Sequence, residues 1–120
     1  MAVDKIYAQL SCADLPASLA WYGALFGRRP DARPMDGLAE WHLRDCAGLQ
    51  LFQSPEHAGH GTLTLVVHGL RNEHARLQQA GLTPGGIEPA TSSSLVRLRD
   101  PDGNQVVLAE PCGPSAGPVE

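Results

Sequence analysis

The residues best suited to chemistry in this sequence are neutral polar and aromatic side chains that alternate with apolar residues in short runs. Amide and hydroxyl groups fix a ligand by hydrogen bonds, and aromatic rings add apolar and stacking surface. Such groups are poor at proton transfer near neutral pH, so the pattern predicts ligand binding and no catalytic residue. The candidate ligand-binding residues are Tyr7, Gln9, Trp41, Gln50, Phe52, Thr62, Thr64, Gln105 and Val107.

Signatures of catalysis are weak in the sequence. It has no Ser-His-Asp order, no pair of carboxylates at a useful spacing and no phosphate loop. Gly85-Gly86 lacks the preceding strand and following helix that a phosphate cradle needs, so we interpret it as a turn. A shifted metal site that uses His42, His57 or His60 stays open, although no carboxylate lies at a complementary spacing.

The three cysteines, Cys12, Cys46 and Cys112, are widely spaced and form no Cys-x-x-Cys pair. An odd number of distant cysteines indicates reduced thiols in a cytoplasmic protein. A nucleophilic cysteine needs a neighbouring base, which the sequence does not reveal.

The elements that must position the candidate residues begin with a strand and a helix. Residues 5–11 alternate between an apolar and a polar face. Asp14 is the expected N-cap of a helix whose apolar face begins at Leu15, and Gly27 ends that helix. Three strands follow, at residues 28–34 (an irregular edge), 38–44 and 49–52. The pattern allows two orientations of the Trp41 side chain, either packed under the outer helix or on the floor of the ligand site.

A second copy of this unit follows 55 positions later in the chain. Gly48-Leu49-Gln50 has the same layout as Gly103-Asn104-Gln105, which follows the turn Asp100-Pro101-Asp102, and the same offset maps Leu15 onto Leu70. The copy is predicted to have strands at 62–67, 83–89 (a poor edge strand), 95–99 and 106–109, and a short helix ended by Gly81. Modules therefore span residues 1–54 and 62–111, joined by a connector at 55–61 and followed by a flexible tail at 112–120.

Each copy exposes one apolar sheet face and cannot be stable alone. We expect the two copies to form one structural domain of the α+β class, a curved mixed sheet with helices outside and a ligand cup inside. A chain of 120 residues with 42% hydrophobic and 18% charged residues suits one globular domain. A net charge of −4 without a basic run argues against nucleic acid as a partner and against an anionic membrane surface. No apolar run approaches the roughly 20 residues of a membrane span.

The order of these motifs resembles the vicinal oxygen chelate superfamily of glyoxalases, bleomycin resistance proteins and dioxygenases. The matching segments are Asp14-Leu15…Ser18…Trp21-Tyr22…Leu25-Phe26-Gly27, Leu63-Thr64-Leu65-Val66-Val67 and Asp100-Pro101-Asp102-Gly103-Asn104. The resemblance covers residues 5–111. It implies the two-module cup, and it implies metal ligands at four cup positions in the metal-dependent members.

Those four positions fall on Tyr7, Phe52, Thr62 and Val107 in this sequence. None is an ordinary ligand for a divalent cation, because Phe52 and Val107 carry no donor atom. The resemblance therefore points to a member without metal or other cofactor, a small-molecule binding protein like the bleomycin resistance proteins. Two alternatives remain: a lyase, isomerase or dioxygenase-like enzyme with a displaced metal site or with Tyr7 as acid, and a structural or regulatory partner domain. Relatives are commonly dimers, which implies a homodimer here.

Overall fold

The computed structural model describes residues 1–112, and it divides them into two units of the same element order. The first unit contains the elements β1 (Ile6–Cys12), α1 (Leu15–Phe26), β2 (Ala32–Met35), β3 (Leu38–Arg44) and β4 (Ala47–Gln53). A short 3-10 turn at Pro55–His57 leads to the second unit. Of the predicted tail at 112–120, all but Cys112 lies outside the described residues.

The second unit repeats the strand–helix–three-strand order of the first. It contains the elements β5 (Thr62–Val66), α2 (Leu70–Gln79), β6 (Glu88–Pro89), β7 (Ser93–Arg99) and β8 (Gln105–Pro111). The predicted edge strands at 28–34 and 83–89 are shorter than expected. Proline cannot donate a ladder hydrogen bond, and both segments contain two prolines, so only β2 and β6 pair as strands.

The strands form two four-stranded sheets, ordered β1-β4-β3-β2 and β5-β8-β7-β6. In each sheet the first strand of the module in chain order pairs in parallel with the fourth, which is β1 with β4 and β5 with β8. The remaining pairs are antiparallel. The α+β arrangement of two tandem modules is confirmed. Strand β1 and strand β5 are both edge strands, so the hydrogen-bonded structure is two sheets and not one continuous sheet.

Each helix begins at a side chain supplied by the last strand of its own module. The backbone of Asp14 occupies the N-cap position of α1, but its side chain makes no capping hydrogen bond. Instead Gln53 Oε1 accepts the Leu15 N–H at 2.8 Å. In the second module both carboxylate oxygens of Glu110 accept backbone N–H groups, from Gly69 at 2.7 Å and from Leu70 at 3.0 Å.

Helix α1 ends at Gly27, as its sequence predicts. Gly27 has φ +73°, a left-handed conformation that glycine adopts without strain, and its N–H bonds back to the Gly23 carbonyl. The buried residues of α1 recur at helical spacing, at Leu15, Ser18, Tyr22 and Leu25. This face of α1 packs onto the first sheet and also contacts the second module.

The two modules share one hydrophobic core. Its fully buried members come from both sheets and both helices, and they include Tyr22, Leu49, Leu77, Val96 and Val106. Since the apolar faces of both modules are buried in the same cluster, each module completes the core of the other.

Polar contacts cross the junction between the modules. Tyr22 Oη donates to Asp100 Oδ2 at 2.8 Å in a buried position, and Asn104 Nδ2 donates to the Ser11 carbonyl at 3.0 Å. On the other side, the Arg76 guanidinium donates to the carbonyls of Ala24 and Leu25 at the end of α1. Among the residues described, neither helix has the length and apolarity needed to cross a bilayer.

Candidate functional site

The register of the first sheet gathers four of the predicted site residues on one face. Gln9 lies opposite Gln50, Tyr7 opposite Gly48, and Ser11 opposite Phe52. Strand β3 extends the same face with Leu38, Glu40 and His42. We call this surface the first polar face, defined by Tyr7, Gln9, Ser11, Leu38, Glu40, His42, Gly48, Gln50 and Phe52.

The second sheet presents the corresponding surface of the other module. Thr62 lies opposite Gln105, and Thr64 lies opposite Val107. Both threonines are exposed, whereas only 7% of Val107 is accessible. Strand β7 adds two arginines, and the second polar face is therefore defined by Thr62, Thr64, Val66, Arg97, Arg99, Gln105 and Val107.

Trp41 does not lie on either polar face, which corrects the expectation that it contacts the ligand. Strand alternation directs it to the opposite side of the first sheet, where it is fully buried under α1. Its ring lies 5.5 Å from that of Phe26 and 6.2 Å from that of Tyr22. Trp41 Nε1 donates to the Arg28 carbonyl at 3.1 Å, so the one polar atom of the indole is satisfied within the core.

A cross-strand row of hydrogen-bonded side chains runs over the first polar face. Gln9 Nε2 donates to Gln50 Oε1 at 2.9 Å, and Gln50 Nε2 donates to Glu40 Oε2 at 2.7 Å. His42 Nε2 lies 3.1 Å from the other oxygen of Glu40. Hydrogen bonds from Gln50, His42 and Tyr7 lower the pKa of Glu40 below its ordinary value, so it is a carboxylate at neutral pH. Each side chain of the row is held by its neighbour, which fixes the conformation of the row.

Glu40 lies on the first polar face although the sequence analysis did not assign it there, and His42, which was named only for a shifted metal site, lies beside it. The same period of two that placed Gln50 and Phe52 on this face also places Glu40 and His42 there. The signal was therefore present in the alternation of residues 38–44. Arg97 and Arg99 were missed on the second polar face for the same reason.

Gly48 makes room for the aromatic part of the first polar face. A Cβ at Gly48 would lie 2.6 Å and 2.8 Å from Tyr7 Cε1 and Cδ1, so the phenol ring lies directly over this residue. The rings of Tyr7 and His42 meet across the gap in an edge-on arrangement, with centroids 6.3 Å apart. The Lys5 ammonium lies 5.4 Å from the centroid of the Tyr7 ring and 3.5 Å from its hydroxyl.

In a single copy of the chain, each polar face is open to solvent. A depression of about 810 Å³ at one end of the first polar face is lined by Lys5, by His42 and by residues 43–46 at the end of β3 and in the following turn. A smaller one of about 280 Å³ is lined by Arg97, Arg99 and Gln105 of the second polar face together with Thr83 and Leu98. Both depressions are lined by one module each.

The four positions to which the superfamily resemblance assigns metal ligands do not carry ordinary ligands for a divalent cation. Phe52 and Val107 lie on the polar faces as hydrocarbon side chains, and Tyr7 and Thr62 offer only neutral hydroxyls. No three His, Cys, Asp or Glu side chains among residues 1–112 come together in a way that would hold an ion. His57 Nδ1 lies 2.8 Å from Ser54 Oγ and His42 faces Glu40, so two of the three histidines of the alternative metal site have separate partners.

The glyoxalase-like domain model matches residues 6–109, which is nearly the whole chain. The chain belongs to the glyoxalase-like domain family. A comparison with curated protein sequences found no match.

Solved structures agree with this family assignment. A glyoxalase/bleomycin resistance protein from Catenulispora acidiphila is 32% identical, with a TM-score of 0.82 over 88% of this chain and 96% of that one. TnmS3, an antibiotic-binding protein from Streptomyces sp. CB03234, is 22% identical, with a TM-score of 0.80 over 93% and 99% of the two chains. A bleomycin-binding protein complexed with bleomycin is 20% identical, with a TM-score of 0.75 over 89% and 98%. The similarity of the last two concerns the fold.

Proposed function

We propose that this glyoxalase-like protein binds a small molecule without a metal ion and releases it chemically unchanged. The observation that carries the proposal is the composition of the two polar faces. Amide, hydroxyl and aromatic groups dominate them, and the positions of metal ligands are occupied by Tyr7, Phe52, Thr62 and Val107. The Gln9–Gln50 pair would orient the ligand through hydrogen bonds, and Tyr7 and Phe52 would supply stacking and apolar area.

The names of two structural neighbours support a ligand of the antibiotic type. One is described as antibiotic-binding and the other as bleomycin-binding. For the present chain we therefore propose sequestration of a drug or metabolite, as in bleomycin-type resistance proteins.

A thermal-shift screen against bleomycin, aromatic antibiotics and thiol conjugates tests this function. A compound that binds only the native state raises its stability by about 2.7 kcal/mol at 100 times its Kd. The shift is expected to persist in excess chelator, and mass spectrometry should recover the compound unaltered. Phe52→Ala and Gln9→Ala should weaken binding, whereas Gln79→Ala, an exposed glutamine at the end of α2, should not. Turnover of a bound compound would contradict the proposal.

A second candidate is an enzyme, and the Glu40–His42 contact is the observation that favours it. A carboxylate that orients an imidazole beside a phenol, here Tyr7, is an arrangement suited to proton transfer. Product formed from a screened compound, and lost in His42→Ala but retained in His57→Ala, would establish this alternative. A stoichiometric divalent ion that disappears on changing His60 or His42 to Ala would instead establish a displaced metal site.

We further propose that the protein is a cytoplasmic homodimer whose ligand sites are completed by the partner copy. Buried ligand sites enclose 70–90% of a drug-sized molecule, at a rough estimate. Gln9, Thr62 and Thr64 are exposed along the single chain, and Val66 keeps 71% of its surface accessible. A second copy laid against these faces would supply the missing walls. A monomeric mass by light scattering would reject the dimer.

The three free thiols support the cytoplasmic assignment. Cys12 is buried, and Cys46 and Cys112 are exposed without a disulfide partner. Exposed unpaired thiols are usual where glutathione keeps proteins reduced.

A further inference from the structure

Glu40 carries a negative charge on the first polar face that no permanent cation neutralises. Only 12% of its side chain is accessible, and Gln50 and His42 occupy its two oxygens. Gln50 is a neutral donor, and His42 is positive only when it is protonated. Among the described residues, no lysine or arginine lies within ion-pair distance of this carboxylate. The carboxylate therefore leaves a negative potential on the first polar face.

The ring of Tyr7 is a second feature on the same face that attracts cations. The negative face of an aromatic ring binds ammonium and guanidinium groups within about 6 Å of its centroid. The Lys5 ammonium already lies within that distance, at 5.4 Å. Lys5 is exposed, so a ligand can displace its ammonium at little cost.

The second polar face has the opposite character. Its carboxylate neighbour, Glu88, pairs with Arg97 at 3.1 Å, and Arg99 adds a further positive charge. An ammonium or guanidinium group of a ligand is therefore repelled from that face and attracted to the first one.

We propose that Glu40 and Tyr7 form a subsite for the ammonium or guanidinium group of the ligand, so that the bound class is a planar or aromatic molecule with one cationic arm. This inference rests on the proposed small-molecule binding function and specifies the ligand class for that same site. Gln9 and Gln50 then hold Glu40 in place through the hydrogen-bonded row, and Gly48 holds open the space in which the Tyr7 ring lies.

Isothermal titration with two matched probes tests the subsite. Tryptamine carries an aromatic ring and an ammonium, and N-acetyltryptamine carries the same ring without the charge. The wild type should bind tryptamine roughly three- to tenfold more tightly at low salt. Glu40→Gln, which keeps the size of the side chain and removes its charge, should abolish the difference. Glu88→Gln removes a carboxylate from the second sheet and should leave the difference intact.

Salt provides a test that does not depend on any substitution. Raising the ionic strength to about 1 M shortens the screening length to about 3 Å, and the wild-type preference for tryptamine should then largely disappear. Retention of the preference at high salt would show that the charge of Glu40 does not cause it.

Other outcomes separate the subsite from the proposed function. Equal affinity of the wild type for both probes, or no saturable binding of either, overturns the cationic subsite. If both probes bind equally and Phe52→Ala weakens both, small-molecule binding at the first polar face stands without the subsite. If Phe52→Ala changes neither, the binding function at this face fails as well.

Discussion

At the scale of single residues, the first polar face depends on one position that has no side chain. Gly48 lies between Tyr7 and His42 in adjacent strands, and the two rings approach each other over it. Any larger residue would fill the space that the Tyr7 ring occupies. The aromatic wall of the site is therefore set by a glycine that itself makes no side-chain contact with a ligand.

Gly48→Ala should weaken the binding of N-acetyltryptamine without unfolding the protein. The new methyl group would meet Tyr7 ring atoms at 2.6 Å and displace the ring, and it would also lie 3.0 Å from the backbone carbonyl oxygen of Trp41. Because that carbonyl belongs to the paired strand β3 and can shift only slightly, the free energy of unfolding should fall by about 1 kcal/mol. Calorimetry measures the affinity, and Gly86→Ala is the matched control, since a Cβ there meets nothing within 4 Å. Unchanged affinity in Gly48→Ala would show that the ring position is irrelevant to binding.

Tyr22→Phe should destabilise the fold because the hydroxyl joins the modules. Burial, together with the Asp100 carboxylate, raises the pKa of Tyr22, which therefore stays protonated and donates to Asp100 Oδ2 at 2.8 Å. Loss of this hydrogen bond to a charged, buried acceptor should cost about 1.5–3 kcal/mol. Urea denaturation measures the loss. Tyr7→Phe, which removes a hydroxyl from a half-buried residue on the first polar face, should change stability by less than about 0.5 kcal/mol.

At the scale of elements, the last strand of each module fixes the start of its helix. Gln53 of β4 accepts the first N–H of α1, and Glu110 of β8 accepts two N–H groups at the start of α2. A carboxylate at a helix N-terminus also interacts favourably with the helix dipole. The start of each helix is thus fixed by a side chain that is distant in sequence.

Glu110→Gln should change the dependence of stability on pH. The N–H groups of Leu70 and Gly69 lower the pKa of Glu110 in the folded state. A lowered folded pKa contributes stability above the unfolded value, about 4.3, and that stability is lost as pH falls through the folded pKa. Wild type should therefore exceed Glu110→Gln in stability at neutral pH, and the difference should shrink in acid.

Chemical denaturation at about pH 7 and about pH 3 measures this difference at pH values on either side of the unfolded pKa. The control is Glu56→Gln, an exposed glutamate that accepts no hydrogen bond among the described residues. It should show no such change. A Glu110→Gln difference that is equal at both pH values would contradict the capping role.

At the scale of the whole molecule, two similar modules are packed against each other. Their apolar faces meet in a single core, and hydrogen bonds from Tyr22, Asn104 and Arg76 cross the junction. A module removed from this arrangement would expose much of its core to water. We therefore expect one cooperative unfolding transition for the chain.

Arg76→Ala tests the junction from the side of α2. Arg76 donates to the Ala24 and Leu25 carbonyls, which have no partner within helix α1, and its loss should cost about 1–3 kcal/mol. Arg71→Ala, an exposed arginine on the same helix without a partner among residues 1–112, should be near neutral.

Both Trp21 and Trp41 belong to the first module, so tryptophan fluorescence reports on it alone. Separate fluorescence and circular dichroism transitions in wild type would show that the modules unfold independently.

Much of the fold could be predicted from local patterns. The period of two predicted Gln9, Gln50, Thr62 and Gln105 for the polar faces of their strands, and the helical spacing of Leu15 and Tyr22 identified the buried side of α1, because these depend on backbone geometry alone. The 55-residue repeat then gave the two-module arrangement without reference to any tertiary contact.

The orientation of Trp41, the capping of α1 by Gln53 in place of Asp14, and the Glu40–His42–Gln50 cluster were decided by tertiary structure. Each depends on which strand lies beside which, and at what register. By itself the sequence determined the elements, their repetition and the polar alternation, since these follow from steric and periodic rules within a few residues. Only tertiary structure decided which side chains meet, because a hydrogen bond requires two groups within about 3 Å and the chain brings them there from distant positions.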